Sequence, residues 1–445
     1  MRDFAILAII LGSVPFCLFN PYFGVLMWSW VAYFNPHRYA WGIAYNFPVA
    51  VVVAIPTLLG TLVARKINRN FIKREMLLML ALWAWFAITY FHALQVPLFG
   101  GHVGEAQAQL LLLSKILLMT FVTVLLITSR DKLKYLLLLT AASLGLRAVA
   151  GAIFGLSTGG EFRVYGPADS FIEDNNDLAL ALNMMLPVMF FLTREFEKRW
   201  VGVLLRIMFF CSIIAVILTY SRGGLLGLAI ALAVIAVRSK RKLFAAAMLT
   251  AAAMTVFTLI PEHWTARMNG FMQGHLDGSA QQRIAAWKFG WNFVKEYPIT
   301  GGGFEVFADP VVFQSYKVDE IPGGFQSTGP HSIYFQVLGE QGFVGLGLFL
   351  GLLGSCFFTL RWLRRRARRD PSAEWMKPYT YMLEASLLAY MVSGAFLGRA
   401  YFDLYFQLVA SVSVLRILYA REVAAPARAH QEAALEARVS ELALP

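Results

Sequence analysis

The sequence predicts an all-α, polytopic membrane protein with about twelve transmembrane helices and one large extramembrane helical segment. Three observations carry this. The 445 residues are 58% hydrophobic and only 15% charged, with a mean hydropathy of +0.60. The apolar residues fall in many separate runs, each long enough to cross a bilayer, which takes ~20 residues. The Lys and Arg residues behind the formal net charge of +12 lie in short clusters between those runs, the pattern of cytoplasmic loops. Positive charge spread in this way suits lipid headgroups and phosphates. It does not suggest nucleic acid.

Residues 4–34 are long for one straight helix and short for two full spans. Pro15 and Asn20-Pro21 interrupt them, so a broken helix and two short helices both fit; one broken crossing is preferred. Met1-Arg2-Asp3 before an apolar stretch resembles a signal peptide. No small-residue cleavage site follows, and the stretch is expected to stay in the mature chain. A loop with interface aromatics, Asn35 to Trp41, comes next. Further spans are expected near 48–64, 76–95, 107–128, 133–155, 177–193, 202–219, 223–237, 243–260, 332–360, 379–397 and 402–419. Cys17, Cys211 and Cys356 lie in separate apolar runs without metal or redox spacing and read as packing residues.

Basic clusters occupy alternate connections: Arg65 to Arg74, Arg130 to Lys134, Arg194 to Arg199, Arg238 to Lys242 and Arg361 to Arg369. These are expected to be cytoplasmic. The other connections, 35–47, 95–106, 156–176, 220–222, 261–331 and 397–401, then face outward. With 4–34 counted as one crossing, both termini lie inside. The chain divides into N-terminal membrane helices (1–260), an outer segment (261–331), C-terminal membrane helices (332–420) and a cytoplasmic tail (421–445).

The outer segment 261–331 is too long for a plain connection and is expected to be functional. Ser279 to Lys295 reads as an amphipathic helix, with Ser279 and Gln282 spaced as in a capping box and Ile284, Trp287, Trp291 and Val294 at helical intervals. Pro298 ends it, and Gly301-Gly302-Gly303 makes a turn. The segment closes on Gly329-Pro330-His331-Ser332, just before a long apolar run. Pro suits a helix start, so His331 is expected in the first turn of a membrane helix. The positive helix end there disfavours imidazolium and biases His331 towards the neutral form that accepts a proton.

Charged groups inside spans or on the outer side need a reason. Arg147 lies in the outer half of 133–155, where a structural ion pair is the plain alternative. Arg222, in Tyr220-Ser221-Arg222-Gly223-Gly224, opens a helix at an outer turn and could simply anchor at headgroups. Arg283 lies one turn before Trp287 on the amphipathic helix, where a solvated Arg is common. Asp169 and Glu173 crowd the outer loop 156–176, where acidic residues complement a helix dipole. The topology nevertheless puts Arg147, Arg222, Arg283 and His331 on one side. Arg pairs bidentately with phosphate, and a neutral His can take a proton from an attacking hydroxyl. No metal or nucleotide motif stands out, and no cofactor is expected.

At these residues the chain resembles the O-antigen ligase and polymerase family of bacterial envelopes. The resemblance rests on Ser221-Arg222-Gly223, Arg283 with Trp287, Tyr297 to Phe307, and Pro330-His331-Ser332 running into Leu338-Gly-Glu340-Gln-Gly. It covers roughly 160–350. Ser332 stands where the family commonly has Asn. The resemblance implies a metal-independent, inverting glycosyltransferase of the GT-C type in the bacterial inner membrane. Such enzymes take a glycan from undecaprenyl diphosphate at the periplasmic face; the ligases attach it to a sugar hydroxyl of the lipid A core. It makes His331 the base and gives Arg222 and Arg283 the diphosphate. Arg147 is added from its depth in the span, and Asp169, Glu173, Trp287 and Ser332 are accessory candidates.

The N-terminal region, Met1 to Phe4, Asn20 to Gly24 and Asn35 to Arg38, is similar to the O-glycosylation ligases associated with the exosortase system. That widens the acceptor to a protein hydroxyl or a growing polymer. A polymerase or a protein O-oligosaccharyltransferase is therefore the nearest alternative. A lipid or solute transporter is more distant, because no internal repeat is visible and the candidate groups gather at one surface.

Overall fold

The structure, a computed structural model, describes residues 1–238, 278–316 and 329–425. The expected span 243–260, the cluster Lys240 to Lys242, the side chain of Ser279 and the tail beyond 425 lie outside the described residues. Among those described, the chain is helical and holds no strand. The first nine helices are α1 (Arg2–Phe19), α2 (Pro21–Phe34), α3 (Val49–Leu62), α4 (Arg74–Ala93), α5 (Val103–Leu126), α6 (Arg130–Ser157), α7 (Asn175–Leu192), α8 (Arg199–Leu218) and α9 (Arg222–Arg238). Then come α10 (Gly278–Glu296), α11 (Pro310–Tyr316), α12 (Ile333–Arg369), α13 (Met376–Gly394) and α14 (Asp403–Tyr419). Eight described helices are long and apolar enough to cross a bilayer. The chain is a multi-pass membrane protein.

The apolar runs form helices because hydrocarbon offers backbone groups no partner except their own turn. α7 sits at the centre, packed by α6, α8, α9 and α13. Nearly all of it is buried, and Gly224 and Gly227 of α9 approach it closely.

The stretch 4–34 departs from the preferred single crossing. Asn20 breaks it with φ −131° and ψ 82°, and Pro21 starts a new helix. The Asp3 carboxylate accepts the N–H groups of Gly42 at 2.9 Å and Ala44 at 3.1 Å. The start of α1 therefore lies at the same end of the bundle as the loop that follows α2. The two helices run back to back, with Ile10, Cys17 and Val31 in one small core. The amide-rich turn at 42–44 fixes this arrangement, and the run of apolar residues does not reveal it.

A second layer caps one end of the bundle. Helices α10 and α11 enclose a separate core of Phe99, Phe289, Phe293, Phe307 and Phe313. His102 ties this shelf together. Its Nδ1 lies 3.0 Å from the Asp309 carboxylate and its Nε2 lies 3.0 Å from the Gly302 carbonyl, both fully buried. Of the expected outer segment 261–331, residues 278–316 and 329–331 are described, and Gly278–Glu296 and Pro310–Tyr316 are helical.

Candidate functional site

A backbone joint fastens the shelf to α12, beside ring contacts such as Trp287 on Phe335. Gly342 has φ +65° and ψ −171° and kinks α12. The turn Pro298 to Gly303 lies in that kink. Gly302 and Gly303 donate N–H to the carbonyls of Gly339 and Glu340 at 3.0 and 2.9 Å, and Phe343 donates to Pro298 at 2.8 Å. A Cβ on Gly342 would come 2.2 Å from the Ile299 carbonyl oxygen, and one on Gly301 would come 2.4 Å from that of Gly339. Only glycine tolerates both the positive φ and the approach. This contact sets Glu305 against Glu340: the Glu305 N–H donates to Glu340 Oε1 at 3.4 Å.

His331 stands above this joint. It lies two residues before the first residue of α12, and Ser332 is the N-cap, with φ −156°. The expectation of a first-turn histidine is thus off by two residues, because Ser332 is still extended and helical geometry begins at Ile333. His331 takes φ +44°, a left-handed conformation uncommon for a side chain with a Cβ. Two contacts hold it. The Trp287 indole donates to the Pro330 carbonyl at 2.6 Å and stacks on Phe335 at 5.3 Å. On the other side the Gly398 backbone lies close to the His331 backbone.

His331 lines a polar cavity of about 550 Å³ with Glu305, Gln336, Glu340, Asp174, Asp177 and Arg399. The Arg399 Nε donates to Asp177 at 2.7 Å. The Ala400 N–H donates to Gln336 at 3.1 Å, and Tyr390 holds the Ala400 carbonyl at 2.7 Å. These bonds pin the connection 395–402 against α7 and α12. Burial pushes the His331 imidazole below its ordinary value; the positive charge of Arg283 adds to this and Asp174 opposes it. The neutral bias expected from the helix end is present, and its main cause is burial. Burial also raises the Glu305 carboxyl, with Glu105 adding to it.

The other candidates divide. Arg283 sits on α10 near enough for its charge to act on His331. Arg222 is the first residue of α9, and the next residue, Gly223, packs on Phe396 and Ser393 of the α13–α14 corner, the same corner that carries Arg399. Trp287 positions the backbone before His331, and Ser332 is buried as the N-cap. Arg147 does not line the cavity. Its guanidinium donates to the Tyr39 hydroxyl at 2.7 Å and the Tyr165 carbonyl at 3.4 Å, which ties two loops together. Asp169 is bound by Tyr45 and faces Arg38 at 3.7 Å. Glu173 accepts the Asp169 N–H at 2.9 Å. Neither lines the His331 cavity.

The sequence reading missed Arg399, Asp177, Gln336, Glu305 and Glu340 as cavity residues. Arg399 lies in 397–401, a connection expected to face outward, and the argument that singled out Arg222 applies to it equally. Among the described residues no three His, Cys, Asp or Glu side chains are grouped to hold a metal.

Two family comparisons match the chain. Residues 1–197 match a family of unknown function, DUF5935, and residues 207–350 match the O-antigen ligase family. No curated protein matches it. The second match spans Arg222, Arg283, Trp287, the glycine turn, His331 and the α12 kink, the same residues that carry the motif resemblance. The O-antigen ligase match is thus a likeness over residues 207–350 of the 445.

Proposed function

We propose that the protein is an O-antigen ligase, an inverting glycosyltransferase working at the periplasmic face of the bacterial inner membrane. The donor is a polysaccharide on undecaprenyl diphosphate, and the acceptor is a sugar hydroxyl of the lipid A core. The acceptor oxygen attacks the anomeric carbon, the bond from that carbon to the diphosphate oxygen breaks, and the electron pair leaves with the diphosphate. The acceptor proton passes to His331. Arg222 and Arg283 meet the charge that grows on the leaving diphosphate. No metal takes part in this reading.

The observation that carries it is His331 itself, half-buried, kept below its ordinary basicity and set in a polar cavity beside an arginine. An imidazole kept neutral in a polar cavity is free to accept a hydroxyl proton. The N-terminal match to a family of unknown function, together with the likeness to O-glycosylation ligases in the same region, favours a second reading in which the acceptor is a protein hydroxyl or another lipid-linked repeat.

The test uses purified protein and its His331→Ala variant, with undecaprenyl-diphosphate-linked O-antigen and rough lipopolysaccharide in the presence of chelator. A laddered product from wild type that vanishes in the variant supports the ligase. No ladder from folded wild type, with transfer to a peptide or to a second lipid-linked repeat instead, replaces it with the second reading.

A further inference from the structure

The chemistry above leaves unused a second cavity and the lysine that faces it. This cavity measures about 480 Å³, a size usual for sites of small organic ligands. It shares Phe171 and Arg399 with the His331 cavity, so the two adjoin. One face of α5 runs down both. Gln109 lines the first, and Leu112, Lys115 and Ile116 line the second, at the three-to-four-residue spacing of a single helical face. Trp28 and Val31 of α2 and Val49 and Val51 of α3 supply apolar walls. Val51 and Lys115 line the cavity and are exposed, so its edge at α3 and α5 is not sealed.

Lys115 lies about 18 Å from one end of α5 and about 16 Å from the other, at 1.5 Å per residue. A cation at that depth of a span is costly without a partner. Lys115 makes no hydrogen bond or ion pair with any described residue. The other charged groups on the cavity are Arg38, which faces Asp169 at 3.7 Å, Arg399, which is bonded to Asp177, and Asp403, with His37 beside them. The cavity thus combines an unsealed apolar wall with a lysine that no described carboxylate pairs. That is the complement of a phosphate on a hydrocarbon chain. Neither Arg222 nor Arg283 lines it.

We propose that this cavity binds a second phosphorylated lipid, held by Lys115 through its phosphate, with its chain leaving between α3 and α5. The lipid is distinct from the donor and carries the acceptor. This rests on the glycosyltransfer reading and deepens it: the acceptor hydroxyl is presented to His331 by a lipid anchored on the first 197 residues, the donor by the arginines of the 207–350 region.

The test is native mass spectrometry of the purified full chain with undecaprenyl phosphate, and separately with monophosphoryl lipid A. Wild type is expected to retain two undecaprenyl phosphates, Lys115→Ala one, Arg222→Ala/Arg283→Ala one, and the combination none. Lys115→Ala should weaken the second site about tenfold, as loss of one charged hydrogen bond does. Lys115→Arg should restore it, and Ala32→Phe, which fills the cavity without changing charge, should abolish it. If lipid A displaces one undecaprenyl phosphate from wild type and none from Lys115→Ala, the anchored acceptor is lipid A; if it displaces none from wild type, the anchored acceptor is a polyprenyl lipid. Two lipids on Lys115→Ala, or none on Arg222→Ala/Arg283→Ala, overturns the proposal. Two lipids on Arg222→Ala/Arg283→Ala with one on Lys115→Ala sinks the arginine clamp and leaves this site standing.

Discussion

The indole N–H of Trp287 donates to the carbonyl oxygen of Pro330 at 2.6 Å, one residue before His331. The shelf helix thereby holds the backbone from which the histidine projects. Trp287→Phe keeps the ring that stacks on Phe335 and loses the donor. Its kcat is expected to fall about tenfold, the upper end for one hydrogen bond, with KM and thermal midpoint nearly unchanged. Trp287→Ala removes both contacts and should lower the midpoint as well. A Trp287→Phe enzyme with wild-type kcat would mean that His331 is held without this bond.

The pH dependence of transfer follows from His331. A base works in its neutral form, and burial with the Arg283 charge lowers the imidazole from an ordinary 6.5. The acid limb of kcat/KM is therefore expected below pH 6.5. Arg283→Gln removes one cause, so the limb should move up towards that value. His331→Ala should lose on the order of 10²–10⁴-fold in rate, the usual worth of a general base. An acid limb unmoved in Arg283→Gln would separate that arginine from the histidine.

The His102–Asp309 pair is a stability element. A hydrogen bond to a charged group contributes about 1.5–3 kcal/mol, so Asp309→Asn is expected to loosen the shelf by that order. Hydrogen exchange of α10 and α11 would show it. Although burial opposes it, the bond from His102 and the amides of Val311 and Val312 hold the Asp309 carboxyl below its ordinary 3.8. Its folded-state value is depressed, so its contribution is complete above the unfolded value and is lost as pH falls through the folded one. Shelf protection should therefore weaken on acidification below pH 4 in wild type, and less so in Asp309→Asn.

Gly342→Ala places a methyl 2.2 Å from a carbonyl oxygen at a positive φ. Strain of a few kcal/mol is expected, with loss of the shelf's docking and of activity together. Gly347→Ala, five residues further along the same helix with open space around it, is the control and should be silent. Limited proteolysis of α10 distinguishes a detached shelf from a merely slower enzyme.

Much of the fold was legible because bilayer crossing imposes a length and composition that apolar runs satisfy visibly. The shelf helix was legible from Ile284, Trp287, Trp291 and Val294, whose spacing repeats with the helix. His331, Arg222 and Arg283 stood out because basic groups are expected to be rare in outward-facing connections. What stayed hidden is tertiary. The joint between Pro298–Gly303 and the α12 kink is made of backbone atoms and leaves no side-chain pattern. Asp177 looked like a helix-end acid because its partner Arg399 lies 222 residues later. Lys115 was absorbed into an apolar run, and Arg147, correctly placed within a span, was spent on Tyr39 and Tyr165.

The strap between the glycine turn and the α12 kink has a consequence for any attempt to exchange parts between related chains. Three backbone hydrogen bonds with no side-chain specificity look permissive, yet they require a glycine turn and a kinked helix at once. A graft that carried the shelf helices alone would land on a helix kinked for another turn. The smallest transferable unit therefore runs unbroken from α10 past Gly342 and takes His102 with it, so that the shelf and the membrane helix beneath it travel as one inheritance.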